Sequence, residues 1–281
     1  MCKFFSLLLL CAVSVAPAFA RQGSVTTNSA DAPSTQRAQK RILVFNKTEG
    51  FRHASIPTST DVFKQLDATS DLFEFVVTDD VAHFDREKLN TYDAVVFCLT
   101  TGEIKLSEEQ KAALLEFVQS GKGGLVGIHS ATDTFYKWPE FGEMMGGYFD
   151  GHPWNAKDTV TVKIEQVNPI TAPWGKSRFE ITDEIYQFKE PYDRSKQEVL
   201  LSLDTDATDM TKKGIKRTDK DFAVAWTKTY GKGRVFYTSL GHNDAVWKDP
   251  RFQAHVQAGL QWVTRAETGK PTETGETPAV K

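Results

Sequence analysis

Three histidines in this chain follow apolar runs that stop abruptly, the position where open α/β sheets carry their reactive side chains. His53 lies shortly after residues 41–46 (RILVFN), His129 directly follows residues 124–128 (GLVGI), and His242 follows residues 234–241 (RVFYTSLG). Imidazole changes charge near neutral pH and serves as base, acid or metal ligand. The segment GLVGIHSATDTFYKWPEF (residues 124–141) carries most of the information. Leu125, Val126 and Ile128 read as a buried strand, and a sharp turn at His129 would hold the ring at the mouth of the sheet, where other α/β enzymes place a nucleophilic serine or cysteine. Histidine is a poor acyl carrier, so proton transfer or metal ligation is the chemistry expected there.

Reading each strand to its end adds further candidates. The first runs into Glu49, Arg52 and His53, the third into Thr100 and Thr101, the elbow into Ser130 and Asp133, and the strand before His242 into Asn243 and Asp244. A glycine- and proline-rich loop, GGYFDGHPW (residues 146–154), presents His152 and Trp154, and TDEIYQF (residues 182–188) presents Glu184 and Tyr186. In a proton-transfer scheme His129 or His242 moves the proton and Asp133 or Glu184 orients it, with His53, Arg52, His152, Trp154, Tyr186, Thr101 and Asn243 as substrate-binding candidates. Aromatic rings (Trp138, Tyr148, Trp154, Trp247) beside carboxylates and imidazoles suit a carbohydrate, whose C–H faces stack on rings. An elbow side chain aimed into a cavity would be truncated at little cost in stability, within about 1 kcal/mol.

Plainer readings compete with these. A histidine at a strand end can simply cap backbone groups, Asp133 and Asp150 can serve turns, and tryptophans belong to cores more often than to sugar platforms; Trp226 and Trp262 read as core outright, and His83 and His255 as structural or surface residues. Metal has no local signature, since HExxH and paired cysteines are absent, but histidines from distant strand ends can still assemble a site for a divalent ion such as zinc. The ligand candidates are His53, His129, His152 and His242. Glutamine-dependent amidotransfer is excluded, because Cys98 falls inside the third strand and not at the elbow.

The elements that must position these residues alternate. Strand-like runs at 41–46, 72–78 and 92–99 are separated by helical patterns, and a capping box of Ser107 and Gln110 opens a helix with Leu114, Phe117 and Val118 on its apolar face, stopped by Gly121. That alternation predicts a mainly parallel, doubly wound α/β sheet in three layers. Beyond Gly151 the runs at 159–165, 179–188, 199–203, 222–229 and 234–240 predict antiparallel additions, and Phe252, Val256, Leu260 and Val263 mark a last helix.

The chain ends read differently. Lys3, an apolar run over residues 4–15 and Ala18-Phe19-Ala20 form an export signal over residues 1–20, which implies a periplasmic or secreted protein with no membrane insertion after cleavage. Residues 21–39 and 266–281 are polar, linker-like segments, leaving a folded unit at 40–265. Cleavage removes Cys2 and Cys11, so Cys98 has no disulfide partner within the chain and the core must hold the fold. With 40% hydrophobic residues that core is large enough, and a net charge of −3 without a basic block argues against nucleic acid. The oligomeric state is left open, a homo-oligomer included.

GFRHASI (residues 50–56), the elbow segment, GGYFDGHPW, TDEIYQF and VAWTKTYGKGRVFYTSLGH (residues 224–242) occur in the order expected of ThuA-like proteins, and the chain resembles that family over nearly all of residues 41–263. The resemblance implies a class I glutamine amidotransferase-like fold without the elbow cysteine. It also implies a place in carbohydrate breakdown, with a glycoside or keto-glycoside as small-molecule partner, transformed by hydrolysis, elimination or isomerisation. A non-catalytic carbohydrate-binding or scaffold protein on the same fold is the alternative.

Overall fold

The computed structural model describes residues 38–266. The segments expected to be an export signal (1–20), a linker (up to residue 37) and a tail (from residue 267) lie outside the described residues. From there the chain runs β1 (Lys40–Phe45), α1 (Ile56–Thr69), β2 (Phe73–Thr78), α2 (Arg86–Leu89), β3 (Ala94–Cys98), α3 (Glu108–Gln119) and β4 (Gly124–Ile128). It continues through α4 (Pro139–Met145), β5 (Tyr148–Phe149), β6 (Thr159–Ile164), β7 (Arg178–Thr182), β8 (Phe188–Lys189), β9 (Glu198–Leu203), β10 (Ala223–Tyr230) and β11 (Gly233–Thr238), ending with α5 (Asp244–Lys248) and α6 (Pro250–Thr264).

Nine strands form one sheet in the order β2-β1-β3-β4-β11-β10-β9-β6-β7. The first five pair in parallel, and from β11 onward every pairing is antiparallel. The sheet is therefore mixed, parallel in the part built by the N-terminal half and antiparallel in the C-terminal additions, as the sequence pattern predicts. β3 (AVVFC) and β4 (GLVGI) are buried at every position because layers cover both faces. Alternate side chains of β1 serve different layers: Ile42 and Val44 join Phe63, Leu66 and Val96, while Leu43 and Phe45 join Phe84, Leu114 and Phe117. Each such side chain contributes about 1.5–3 kcal/mol by leaving water. The α3 capping box forms as read, with Ser107 Oγ accepting from the Gln110 N–H and Gln110 Oε1 accepting from the Ser107 N–H.

Two segments differ from expectation. Residues 179–188 are not one strand: β7 ends at Thr182, residues 183–187 form an irregular connection, and β8 pairs with β5 in a separate two-stranded sheet. The elbow leads into a short 3-10 turn, His129–Asp133, and the helix begins only at Pro139. Proline at the first turn of α4 suits a helix start, whereas the preceding FYKW stretch carries no capping side chain. Gly127 lets α4 close on the sheet, since a Cβ there would lie 2.4 Å from Met145 Sδ and 2.9 Å from Tyr237 Cδ2.

The chain leaves β1 for β2 on one side and then crosses to β3 on the other. Their connections diverge at the carboxyl edge, which opens the crevice where ligands of such sheets bind.

Candidate active site

Four parallel strands deliver the site from their carboxyl ends. After β1 the loop is held to the end of β3: the Glu49 N–H donates to the Thr101 carbonyl (2.9 Å) and the Thr101 hydroxyl donates to the Phe51 carbonyl (2.7 Å). This brings His53 inward, and Ser55 Oγ donates to the Gly241 carbonyl (3.2 Å), joining the His53 loop to the His242 turn. After β4, His129 takes a left-handed backbone conformation (φ 54°), a strained geometry for a residue with a side chain and the physical basis of the elbow. Its carbonyl accepts from Tyr237 Oη at 2.7 Å. After β11, Gly241 adopts φ 118°, which only glycine takes without strain, and turns His242 back toward His129.

Glu184 completes the group from the irregular connection after β7. Its Oε2 lies 3.2 Å from His242 Nδ1 and 3.6 Å from His129 Nε2, and its Oε1 lies 3.2 Å from His152 Nδ1. His129 Nε2 is also 3.2 Å from His242 Nδ1 and accepts from the Tyr186 hydroxyl at 2.8 Å. His53 contributes a nitrogen to the same group, with all four donor atoms of His53, His129, Glu184 and His242 within 4.8 Å of one another. The three imidazole planes stand at 74–85° to one another. His129 and His53 are buried and Glu184 nearly so, so access is from the side of His242 and the half-exposed His152.

The partners dictate protonation. Ser239 offers only a carbonyl to His129 Nδ1 (2.7 Å), so that nitrogen carries the proton and Nε2 turns its lone pair on Glu184 and His242. Burial opposes ionisation of Glu184, but the surrounding imidazoles of His129 and His242 outweigh it and hold the carboxyl far below the usual carboxylate range. His53 is pulled down to about 3, first by burial and then by the neighbouring His129 and His242. His242 moves upward because Glu184 hydrogen-bonds to it, against the opposing effect of burial. One anion thus sits among imidazoles of divergent basicity, the arrangement that separates acid from base within one site.

Residues 41–263 match the family described as ThuA, trehalose utilisation. The chain belongs to the ThuA family. Membership gives it a carbohydrate-related role. Its fold is similar to that of a ThuA-like protein from Bacteroides uniformis (24% identity, TM-score 0.66, covering 84% of this chain and 97% of that one). A ThuA-like protein from Parabacteroides merdae is similar too (20% identity, TM-score 0.62, covering 84% and 94%). A β-galactosidase from Bacillus circulans shares the fold over 80% of this chain and 31% of its own (12% identity, TM-score 0.50). The chain has no recognisable relative among curated protein sequences.

Within this ThuA-family site the sequence candidates divide. His53, His129, His242 and Glu184 come together, with Tyr186 and His152 in contact, as a largely buried cluster. Two surface concavities lie away from it, one of about 990 Å³ beside Trp262 and Arg265 and one of about 660 Å³ beside Tyr192 and Arg194. His152 stands outside the metal-type group because its Nδ1 faces the other oxygen of Glu184. Trp154 is not a binding platform: it is buried and its Nε1 donates to the Asp209 carbonyl. Trp138, Tyr148 and Trp247 are buried as well, so no aromatic shelf forms from them. Thr101 and Asn243 use their side chains on backbone carbonyls, the latter on Ala156 and Thr182, and act as latches. Asp133 accepts from the Tyr136 hydroxyl (2.6 Å), while the group on the far nitrogen of His129 is the Ser239 carbonyl, so Asp133 does not orient that ring. Arg52 is exposed beside His53 in the chain and makes no side-chain hydrogen bond or ion pair among the described residues. Cys98 is buried in β3, where burial pushes its thiol up to about 12, leaving it unreactive.

Asp183 stood beside Glu184 and Tyr186 in the TDEIYQF segment without a role; the structure shows it clamping the His242 turn. Phe51, which received no role from the sequence, is 64% exposed and edge-on to His53 at 4.8 Å between ring centroids, an aromatic ring at the rim.

Proposed function

We propose that this ThuA-family chain is an exported enzyme that acts on a keto-glycoside by moving a proton at a carbon next to the carbonyl, leading to elimination or isomerisation. The observation that carries the reading is the pairing of Glu184 with His152 at the accessible edge of the buried histidine cluster. His152 Nδ1 lies 3.2 Å from Glu184 Oε1; with its proton on Nδ1 the ring keeps the Nε2 lone pair for a substrate proton, and a base so oriented contributes typically about 10²–10⁴-fold. Two-carboxylate glycoside hydrolysis fits less well, because both oxygens of Asp183, the acid adjacent to Glu184, are committed to backbone N–H groups. A binding or scaffold role is also less supported, since the tryptophans that would form its platform are buried. Export rests on the signal-like residues 1–20.

The test is to incubate the mature chain in deuterium oxide with oxidised and unoxidised disaccharides and to follow carbon-bound hydrogen exchange by NMR. Exchange and turnover are expected for the keto sugar only, and both should disappear in His152→Ala and Glu184→Gln. Phe51→Ala should raise KM severalfold with little change in kcat, as expected for a ring that stacks on substrate outside the reacting centre. Absence of exchange, or its persistence in both site variants, rejects the proposal.

A further inference from the structure

We infer that His53, His129, Glu184 and His242 form a binding site for one divalent transition-metal ion of the zinc type. Zinc holds imidazole and carboxylate donors at about 2.0–2.1 Å in a tetrahedron, which places neighbouring donor atoms about 3.3–3.4 Å apart. The spacings His129 Nε2 to His242 Nδ1 (3.2 Å), His242 Nδ1 to Glu184 Oε2 (3.2 Å) and His129 Nε2 to Glu184 Oε2 (3.6 Å) bracket that edge length. His53 supplies the fourth donor, with the whole set inside 4.8 Å. Four donor atoms of the types zinc prefers thus converge in one largely buried place. While His129 is neutral, its Nε2 and Glu184 Oε2 are two acceptors facing each other, and a shared cation resolves the conflict.

The surroundings are those of a ligand set held in place for an ion. A metal-binding histidine donates its other N–H to a carbonyl or carboxylate, and His129 Nδ1 has the Ser239 carbonyl at 2.7 Å. A ligating carboxylate is held through its second oxygen, and Glu184 Oε1 has His152 Nδ1 at 3.2 Å. Asp183 holds the backbone on both sides of His242. Nitrogen and carboxylate donors without thiolate suit zinc and its divalent first-row neighbours and disfavour copper(I). Bound there, the ion would act as a Lewis acid toward a sugar oxygen; His152, outside the ligand set, keeps its place as the proton carrier.

Metal uptake is measured without substrate, so its outcome is independent of the keto-sugar reading. The folded full-length protein is loaded with zinc or cobalt(II), dialysed, and analysed by elemental mass spectrometry and visible absorption. One equivalent of metal and the d–d bands of cobalt in a low-symmetry nitrogen and oxygen site are expected. Glu184→Gln and His242→Ala should lose the ion, whereas His152→Ala should retain it with affinity lowered about 10–100-fold, as for an outer partner. Wild-type protein that takes up less than a tenth of an equivalent, or cobalt that shows only the weak spectrum of the hydrated ion, overturns the inference whatever the variants do. So does retention of a full equivalent by folded Glu184→Gln and His242→Ala together.

Discussion

Asp183 holds His242 in place by accepting from the backbone on either side of it: the Gly241 N–H donates to Oδ2 (2.7 Å) and the Asn243 N–H to Oδ1 (3.0 Å). The adjacent residue, Glu184, meets the His242 ring. Two consecutive acids thus fix first the turn and then the side chain it carries. This ties the antiparallel half of the sheet to the parallel half at the place where the chemistry sits.

Replacing Asp183 by Asn keeps the shape but offers one acceptor and one donor to two N–H groups. Leaving one buried N–H opposed by a donor should cost about 1–3 kcal/mol. Asp183→Asn is therefore expected to lower the melting temperature and to reduce turnover through displacement of His242. Chemical denaturation and kinetics on the same preparation check this; unchanged values in both would show that the turn holds without the clamp.

His129→Ala and His152→Ala should separate positioning from proton transfer. The expectation that an elbow side chain can be removed at little cost fails for His129, which is fully buried and bonded to the Ser239 carbonyl and the Tyr186 hydroxyl. Its truncation should cost about 1–3 kcal/mol for each group left unpaired, together with activity. His152 has a side chain 41% exposed, and its removal should abolish turnover with the melting temperature nearly unchanged. Equal stability loss in both variants would contradict this division.

Acid sensitivity should come in part from His255, buried in α6 away from the site. Its Nδ1 donates to the Ile170 carbonyl (2.8 Å), Nε2 has no partner among the described residues, and burial pulls its pKa from 6.5 to about 4. Above 6.5 the ring is neutral both folded and unfolded, so it contributes no pH dependence. Below 6.5 the unfolded chain takes up a proton that the folded chain refuses, and stability falls until the folded ring also protonates near pH 4, by about 3 kcal/mol in all. His255→Phe, placed among Trp174, Phe236 and Phe252, should flatten that part of the curve. Denaturant midpoints of both proteins between neutral pH and about 4 check it; parallel curves would locate the acid sensitivity elsewhere.

What the linear chain determined by itself is whatever depends on near neighbours. The runs at 41–46, 92–99 and 124–128 are apolar at successive positions because both sheet faces are covered, and that makes buried parallel strands readable. The Ser107–Gln110 capping box and the turn at His129 are equally local, and parallel strands deliver their following residues to one edge, so His53, His129 and His242 could be placed together in advance. Only the tertiary structure decided how the antiparallel half folds back. It broke the expected strand at 179–188 so that Asp183 and Glu184 reach the rim, turned Trp154 inward, and gave Thr101 and Asn243 to latching loops. Alternation along a strand tells which side chains share a face but not which residue, distant in sequence, will lie against that face. Here Glu184 meets His129 across a separation that no local pattern records, because the contact is set by the crossing of β4, β11 and the connection after β7.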